Sequence, residues 1–406
     1  AMSANVVIVG GGHAGGQAVA SLRQGGFDGD ITLVTAEQSL PYQRPPLSKA
    51  YLAGELPRER LLMRPSAFYE GAGVDVRLGI EVTGLDAGRR SLTLSDGGQL
   101  TYDHMILATG GRPRPLPCPG ADHPAVHYLR TIADVDAMRP RFVPGACIVI
   151  VGAGYIGLEV AAVAIKHGLR PVVLEMAPMV LARVASPEVA GFFENVHRGA
   201  GVDLRTGAAV SAIDDRDGKA VVVSMAGGRI EADLVVAGVG LLPNVELAQA
   251  AGIDCDNGIV VDAFCRTSVP GVYAVGDCSN HPSRLYGRRL RLESVHNALE
   301  QAKTAAADIC GNPLAYDQVP WFWSDQYELK LQTAGLSQGY DQVVIRGNMA
   351  TRSFAAFYMK DGRLLAVDAV NRPVEFTLAK RWIWDGKAPS PQQLGDDSIE
   401  AKALAV

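Results

Sequence analysis

Val6-Val7-Ile8-Val9-Gly10-Gly11-Gly12-His13-Ala14-Gly15 near the N-terminus and Ile148-Val149-Ile150-Val151-Gly152-Ala153-Gly154-Tyr155-Ile156-Gly157 in mid-chain are one device written twice. Each opens on an apolar run suited to a strand buried on both faces, passes a glycine turn and enters an apolar helix. The first glycine permits the tight turn, the second lets backbone approach a pyrophosphate, and the third allows close strand–helix packing. A pyrophosphate then sits at the helix N-terminus, where free N–H groups and the helix dipole favour an anion. The strand before, the helix after and an acid further on turn a weak motif into a strong one. Two such units in one chain predict two dinucleotides and electron traffic between them.

Composition narrows the alternatives. The chain has 406 residues, 48% of them hydrophobic and 20% charged, which predicts two to three well-packed globular domains. A formal net charge of −5 gives no global reason to expect nucleic-acid binding. Arg284, Arg288, Arg289 and Arg291 form the one dense basic cluster, read either as a solvated loop or as a docking site for an acidic partner. The most apolar stretch, Cys147 to Ile165, is broken by Glu159 and three glycines, so it reads as strand–turn–helix and not as a membrane span. Cys118, Cys147, Cys255, Cys265, Cys278 and Cys310 show no C-x-x-C or metal-ligand spacing. That argues against zinc, a cysteine-ligated cluster or a dithiol centre, and scattered cysteines fit a reducing cytoplasm. No signal peptide is read, and Ala1 before Met2 reads as the remnant of an expression tag.

Working outward, the first unit continues through a helix over 14–24 to the strand Ile31-Thr32-Leu33-Val34. Prolines 41, 45 and 46 then forbid a regular helix through Leu40–Lys49. Short strands alternate over 74–107, and Arg112-Pro113-Arg114-Pro115 marks a crossing between domains. The second unit closes on Pro171-Val172-Val173-Leu174-Glu175, with strands near 202–206, 209–213, 220–224 and 229–237. Gly238, Gly240 and Pro243 mark a second crossing. The stretch 271–277 is a buried strand ending on Asp277, and a helix follows over 295–309. Beyond Pro320 the chain turns aromatic, with Trp321, Trp323, Trp382 and Trp384. Alternation over 342–346, 353–359 and 363–369 predicts an antiparallel sheet with a helix near 373–385. The class is α/β: two Rossmann-like dinucleotide-binding domains, the second inserted into the first, plus a C-terminal α+β domain.

Few residues carry chemistry on their own account. Glu175, at its strand's end, can accept bonds from both ribose hydroxyls and repel a 2′-phosphate, which favours NADH over NADPH; Arg170 and Arg183 are close enough in sequence to weaken that preference. In the first unit Ala36 stands where the acid belongs; Glu37, one residue later, either reaches a ribose or faces solvent. Asp277 reads as a turn aspartate or as an acceptor for flavin ribityl hydroxyls. Glu159, at the start of a helix, reads as N-terminal helix electrostatics and Lys49 as an ordinary surface lysine, or the two as a pair.

Taken together, the chain resembles the bacterial FAD-dependent, NADH-using ferredoxin reductases of the glutathione-reductase structural type. The pieces that carry the resemblance are VVIVGGGHAG, LPYQRPPLSKAYLAG, LATGGRPRPLP, VGAGYIGLE, VAGVGLLPN, VYAVGDC, RLESVHNALEQA and PWFWSDQYELKLQ, in the family's order and over nearly the whole length. GYIGLEVAAVAIK and VNRPVEF favour the reductases of cytochrome P450 systems over those serving aromatic-ring dioxygenases. The resemblance implies a three-layer, glutathione-reductase-type arrangement, with FAD on 1–113 and 241–320, NADH on 114–240 and the α+β domain over 321–406. It implies that Gly10, Gly12, Gly15 and Asp277 hold FAD, with Arg44 and Pro45 in the flavin-lining segment and Glu293-Ser294-Val295 at the pyrimidine end. Lys49 sits near flavin N5 and pairs with Glu159, which also faces the nicotinamide. Trp323 lies near both rings, its plainer reading being ordinary core. Gly152, Gly154, Gly157 and Glu175 hold NADH. Two departures stand out: Glu37 in place of the aligned acid, and His296 where the family more often has Gln or Pro. Near a helix start the dipole disfavours a protonated His296, and a hydrogen-bonded structural histidine is its plainer reading.

The implied reaction is hydride transfer from NADH to FAD, for which the protein chiefly supplies alignment. Single electrons then pass to a [2Fe–2S] ferredoxin that feeds a cytochrome P450. Such ferredoxins are acidic, so docking contacts are expected from Arg64, Arg288, Arg289, Lys303 and Lys330 around Trp321. Rival readings are a rubredoxin reductase, the reductase component of a ring dioxygenase, an NADH oxidase or peroxidase, and a non-enzymatic redox-signalling flavoprotein. Peroxidases of this type carry a redox cysteine after the first unit's second strand, and residues 35–50 contain none.

Overall fold

The computed structural model describes residues 3–226 and 228–406; Ala1, read above as a tag remnant, and Met2 lie outside them. The chain divides into two compact units. One comprises the chain up to Gln43, Arg58–Arg112 and Leu241–Pro320; the other comprises Arg44–Pro57, Pro113–Gly240 and Trp321–Val406. The proline-rich segment that carries Lys49 thus belongs to the second unit.

The first unit is built on a five-stranded parallel sheet in the order Val272–Ala274, His104–Leu107, Asn5–Val9, Asp30–Thr35, Val74–Leu78. The glycine-bearing strand is central, and its side chains are buried on both faces, which is why its sequence is an unbroken β-branched run. Val6 and Ile8 pack in one cluster with Ala18, Leu22 and Ala302 of the helices His13–Gln24 and Val295–Ile309. Val7 and Val9 pack in another with Val82, Leu92 and Leu94 of a three-stranded antiparallel sheet, Val82–Asp86, Ser91–Leu94 and Gln99–Thr101. Helices, parallel sheet and antiparallel sheet make three layers.

The second unit repeats the plan. Its parallel sheet runs Asp203–Arg205, Arg170–Leu174, Cys147–Val151, Leu234–Ala237, Val126–Tyr128, again with the glycine-bearing strand central. Val149 and Val151 pack with Ile213, Ala220, Val222 and Ala232 of an antiparallel sheet formed by Val210–Arg216, Lys219–Ser224 and Arg229–Ala232. The α/β class read from the sequence holds, including the C-terminal antiparallel sheet, whose five strands run Trp321–Gln326, Leu329–Gly335, Arg363–Val370, Ser353–Lys360, Gln342–Asn348. The helix Pro373–Asp385 packs on this sheet. Sequence alternation locates the last three strands in chain order and the helix but not the opening hairpin. In that hairpin Trp321 and Trp323 share one face while Phe322, Ser324 and Gln326 share the other, so neither face is uniformly polar or apolar.

The chain's end is fastened by Arg346, whose guanidinium is almost wholly buried. It donates to the carbonyl oxygens of Leu394 at 3.4 Å, Asp396 at 2.7 Å and Ile399, and lies 3.7 Å from Glu375 and 3.6 Å from Asp397. Replacing it leaves three carbonyls without their donor and removes one of the two guanidinium partners of Glu375 and Asp397, whose other partner is Arg372. Arg346→Met is therefore expected to destabilise the second unit by about 3 kcal/mol and to open residues 396–406 to protease, as read by urea unfolding and limited proteolysis.

Candidate functional site

In the first unit the turn after Asn5–Val9 places Gly10 at φ +115°, where an added Cβ would stand 2.0 Å from the Ala108 carbonyl oxygen. A Cβ on Gly15 would stand 1.9 Å from the Gly10 carbonyl oxygen, so the helix rests directly on the strand. Gly12 caps the helix His13–Gln24 without any side-chain hydrogen bond. No capping side chain thus competes with an external acceptor at this helix N-terminus. Asp277 lies in the single turn Gly276–Cys278 that ends the strand Val272–Ala274. Arg291 donates to its carbonyl oxygen at 3.2 Å and to Asn257 Oδ1 at 3.1 Å. Gln301 Oε1 accepts from Gly276 N–H at 2.7 Å, while the buried Gln301 Nε2 has no hydrogen-bond partner among the described residues. Val295 begins its helix, capped by Ser294 Oγ accepting from Asn297 N–H at 3.1 Å; His296 is the next residue of that first turn. Glu37 is half-buried beyond its strand's end, and the Tyr42 hydroxyl donates to its Oε1 at 2.5 Å.

The second unit builds the same cradle. Gly152 has φ +103°, and an added Cβ would meet the Gly238 carbonyl oxygen at 2.1 Å; on Gly157 it would meet the Gly152 carbonyl oxygen at 2.3 Å. Gly154 caps the helix Tyr155–Lys166, again with no side-chain bond, and the space around it is open. Glu175 accepts from Ala153 N–H at 3.1 Å and Ala177 N–H at 2.9 Å, which ties the carboxylate to the glycine loop. Its neighbour Met176 is 72% exposed. Arg170 opens the strand that Glu175 follows, about 16 Å away at the usual strand rise, and turns to the Gly145 carbonyl oxygen. It does not offset the Glu175 charge.

The proline-rich segment is organised as the short helical turn Pro45–Ser48, preceded by Arg44, which donates to the Arg130 carbonyl oxygen at 2.7 Å. Lys49 Nζ stands 3.5 Å from Glu159 Oε1 and 3.4 Å from the Pro45 carbonyl oxygen. Glu159, only 5% exposed, lies in the second turn of Tyr155–Lys166. Two hydroxyls complete its shell: Ser48 donates to Oε2 at 2.6 Å and Ser324 to Oε1 at 2.8 Å. Burial pushes the Glu159 carboxyl up from its ordinary range, against the lowering pull of Lys49, Ser48 and Ser324. Trp323 is next to Ser324 in sequence but on the strand's opposite face, its ring 5.8 Å from that of Trp321. Of the three expected catalytic residues, the structure therefore brings Lys49 and Glu159 together and turns Trp323 the other way.

Ser48, Ser324, Gln326 and His197 belong to this site and are absent from the sequence expectations. The alternation of 321–326 is the one signal that could reveal Ser324 and Gln326; a single histidine on an amphipathic helix gives none. The basic cluster is mostly committed to internal bonds. Arg284 pairs with Asp317 at 2.6 Å, Arg291 with Glu293 at 3.4 Å, and Arg289 donates to Asn280 and to the carbonyl oxygen of Val261. Arg288 stacks over Tyr286 and Arg64 over Phe68, while Lys303 pairs with Glu300 at 2.9 Å. Lys330 is exposed, and Lys380 sits over the Trp321 ring at 5.3 Å.

Comparison with known proteins fits both units. Residues 4–302 match the pyridine nucleotide-disulphide oxidoreductase family and 321–405 match the reductase C-terminal domain. The chain is 47% identical to a putidaredoxin reductase of Pseudomonas putida, covering 98% of this chain and 96% of that protein. It is 45% identical to the ferredoxin reductase subunit of a 5,5'-dehydrodivanillate O-demethylase from a Sphingobium species, covering 98% and 97%. Among solved structures, that of a covalent putidaredoxin reductase–putidaredoxin complex superposes with a TM-score of 0.96 at 46% identity, covering 99% and 98%. With its two glycine cradles, its antiparallel C-terminal sheet and relatives matched end to end, the chain belongs to the pyridine nucleotide-disulphide oxidoreductase family.

Proposed function

We propose that this chain is an NADH-dependent ferredoxin reductase that carries electrons through FAD to a [2Fe–2S] ferredoxin serving a cytochrome P450. The observation that carries the reading is the pair of uncapped helix N-termini, one in each unit, on a chain alike over its full length to a reductase solved with its electron acceptor. Gly10, Gly12, Gly15, Glu37 and Asp277 hold FAD, with Arg44, Pro45, Lys49 and Val295 lining the flavin. Gly152, Gly154, Gly157, Glu159 and Glu175 hold NADH. The assignment divides the chain into FAD-binding 1–113 and 241–320, NAD-binding 114–240 and the α+β domain 321–406. What FAD supplies when bound is the conversion of a two-electron hydride donor into single electrons.

The chain's own groups prepare that exchange. Two of the three Lys49 N–H groups are directed at Pro45 and Glu159, which leaves one for the flavin edge. Glu159 balances the lysine charge at the nicotinamide side. Trp323, on the face shared with Trp321, lines the route outward, and Trp321 with Lys380 and Lys330 offers an apolar and positive patch to an acidic ferredoxin. Among the described residues no helix is long and apolar enough to cross a membrane, and the six cysteines are free. Both features suit a cytoplasmic enzyme. The demethylase relative favours a second reading, in which the ferredoxin serves an oxygenase other than a P450.

Anaerobic NADH-driven reduction of a panel of [2Fe–2S] ferredoxins, rubredoxin, dioxygen and peroxide tests the reading. A ferredoxin is expected to be reduced at least about a hundredfold faster than dioxygen or peroxide, a gap of about 2.7 kcal/mol; a faster peroxide or dioxygen reaction, or a protein without bound flavin, would sink it. NADH is expected to outperform NADPH, and Glu175→Ala to narrow the ratio of their kcat/KM values about tenfold, near 1.4 kcal/mol, as measured by steady-state kinetics with both nucleotides.

A further inference from the structure

A buried chain of hydrogen bonds runs inward from Tyr327 to Glu159. The Tyr327 hydroxyl stands 2.9 Å from His197 Nδ1, and His197 Nε2 stands 2.8 Å from Gln326 Oε1. Gln326 Nε2 donates to Ser324 Oγ at 3.1 Å, and Ser324 donates to Glu159 at 2.8 Å. His197, Gln326 and Ser324 are at most 1% exposed, so no water can substitute for a lost partner without a cavity opening.

Chemistry at the inner end fixes every bond further out. An ionised carboxylate only accepts, so Ser324 must donate its one proton to Glu159. Ser324 then accepts from the Gln326 amide nitrogen, which turns the amide oxygen to His197. Nε2 must therefore carry the imidazole proton, and Nδ1 must accept from Tyr327. The opposite tautomer would flip the amide and draw the Ser324 proton away from Glu159.

We infer that His197 is a positioning residue: through Gln326 it aims the Ser324 hydroxyl at Glu159 and so sets the orientation and charge state of that carboxylate. The inference rests on the reading of Glu159 as a group facing the nicotinamide. Its surroundings leave few competitors. Among the described residues Lys49 is the one charged group that acts on Glu159, beside the hydroxyls of Ser48 and Ser324. His197 meets Gln326 and Tyr327, and Tyr327 in turn feels Arg352 and Glu328 with opposite effect. Burial holds the His197 imidazole down to about 4, so it is neutral and able to both donate and accept across the neutral range.

Stability alone does not decide the matter. With its folded value below the ordinary one, His197 contributes stability above about 6.5 that is lost as the pH falls towards about 4, whatever its role. The deciding measurement is the pH titration of the Glu159 carboxyl in the FAD-loaded protein without NADH, by infrared difference spectroscopy, with Glu159→Gln identifying the band. His197→Phe is expected to raise the midpoint by about one pH unit. His197→Gln, whose amide nitrogen replaces the Nε2 donor, is expected to restore most of it. Gln326→Met should move the midpoint in the same sense as His197→Phe and serves where that variant does not fold. The acid limb of the pH profile for anaerobic flavin reduction should shift by the same amount. Midpoints within a few tenths of a unit of wild type in both His197→Phe and Gln326→Met, or equal displacement by Phe and Gln at 197, would overturn the inference. Failure of NADH to reduce the wild-type flavin would instead overturn the functional reading, because the infrared titration needs no turnover.

Discussion

Each unit depends on the close approach of a helix to the strand that precedes it. Gly15 and Gly157 each lie where a Cβ would overlap the carbonyl oxygen of the first glycine of the same turn. That contact leaves no room for any other residue, and it presses the helix start against the end of the central strand. Everything else about the two cradles follows. The helix begins at a glycine with no side chain to cap it, and its N-terminus faces the end of the glycine turn. Because the constraint is steric and local, it recurs unchanged in two units whose surroundings differ.

The second unit adds a problem the first does not have, a carboxylate buried in the second turn of the cradle helix. Burying a charge is costly unless it is paired and hydrogen-bonded. Glu159 meets the requirement with groups from two remote stretches of chain, Ser48 and Lys49 on one side and Ser324 on the other. The spacing allows it. Phe322 and Ser324 lie two residues apart on one strand face, and Tyr155 and Glu159 lie one helical turn apart, so the two pairs meet in step: Phe322 on Tyr155 at 4.8 Å and Ser324 on Glu159 at 2.8 Å.

Much of the architecture is legible in the sequence because it rests on short-range rules. The glycine turns, the β-branched strands and the helices His13–Gln24, Val295–Ile309 and Pro373–Asp385 are written in residues adjacent in the chain. The pairing of Lys49 with Glu159 is suggested by family resemblance and not by any local pattern, since 110 positions separate the two in sequence. The rest of the site is illegible for the same reason. Ser48 and His197 acquire meaning only from burial, nothing in their neighbours announces it, and only the alternation of 321–326 hints at Ser324 and Gln326. Charge density misleads in the opposite way: the arginines at 284–291 look like a surface for a partner, yet most are spent on carbonyls, amides and carboxylates of their own unit.

The strand Trp321–Gln326 keeps two sets of residues on opposite faces, the tryptophans on one and Ser324 with Gln326 on the other. Since alternate positions never share a face, substitutions in one set can accumulate without touching the other. On the proposed reading, in which the tryptophans face the acceptor, lineages could thus exchange electron acceptors by altering that side while the carboxylate's hydrogen bonds stay intact. The same geometry makes the segment intolerant of length change. A single inserted or deleted residue would exchange the two faces, bringing an indole against Glu159 and exposing the amide. Divergence along this edge is therefore expected to proceed by replacement and not by insertion.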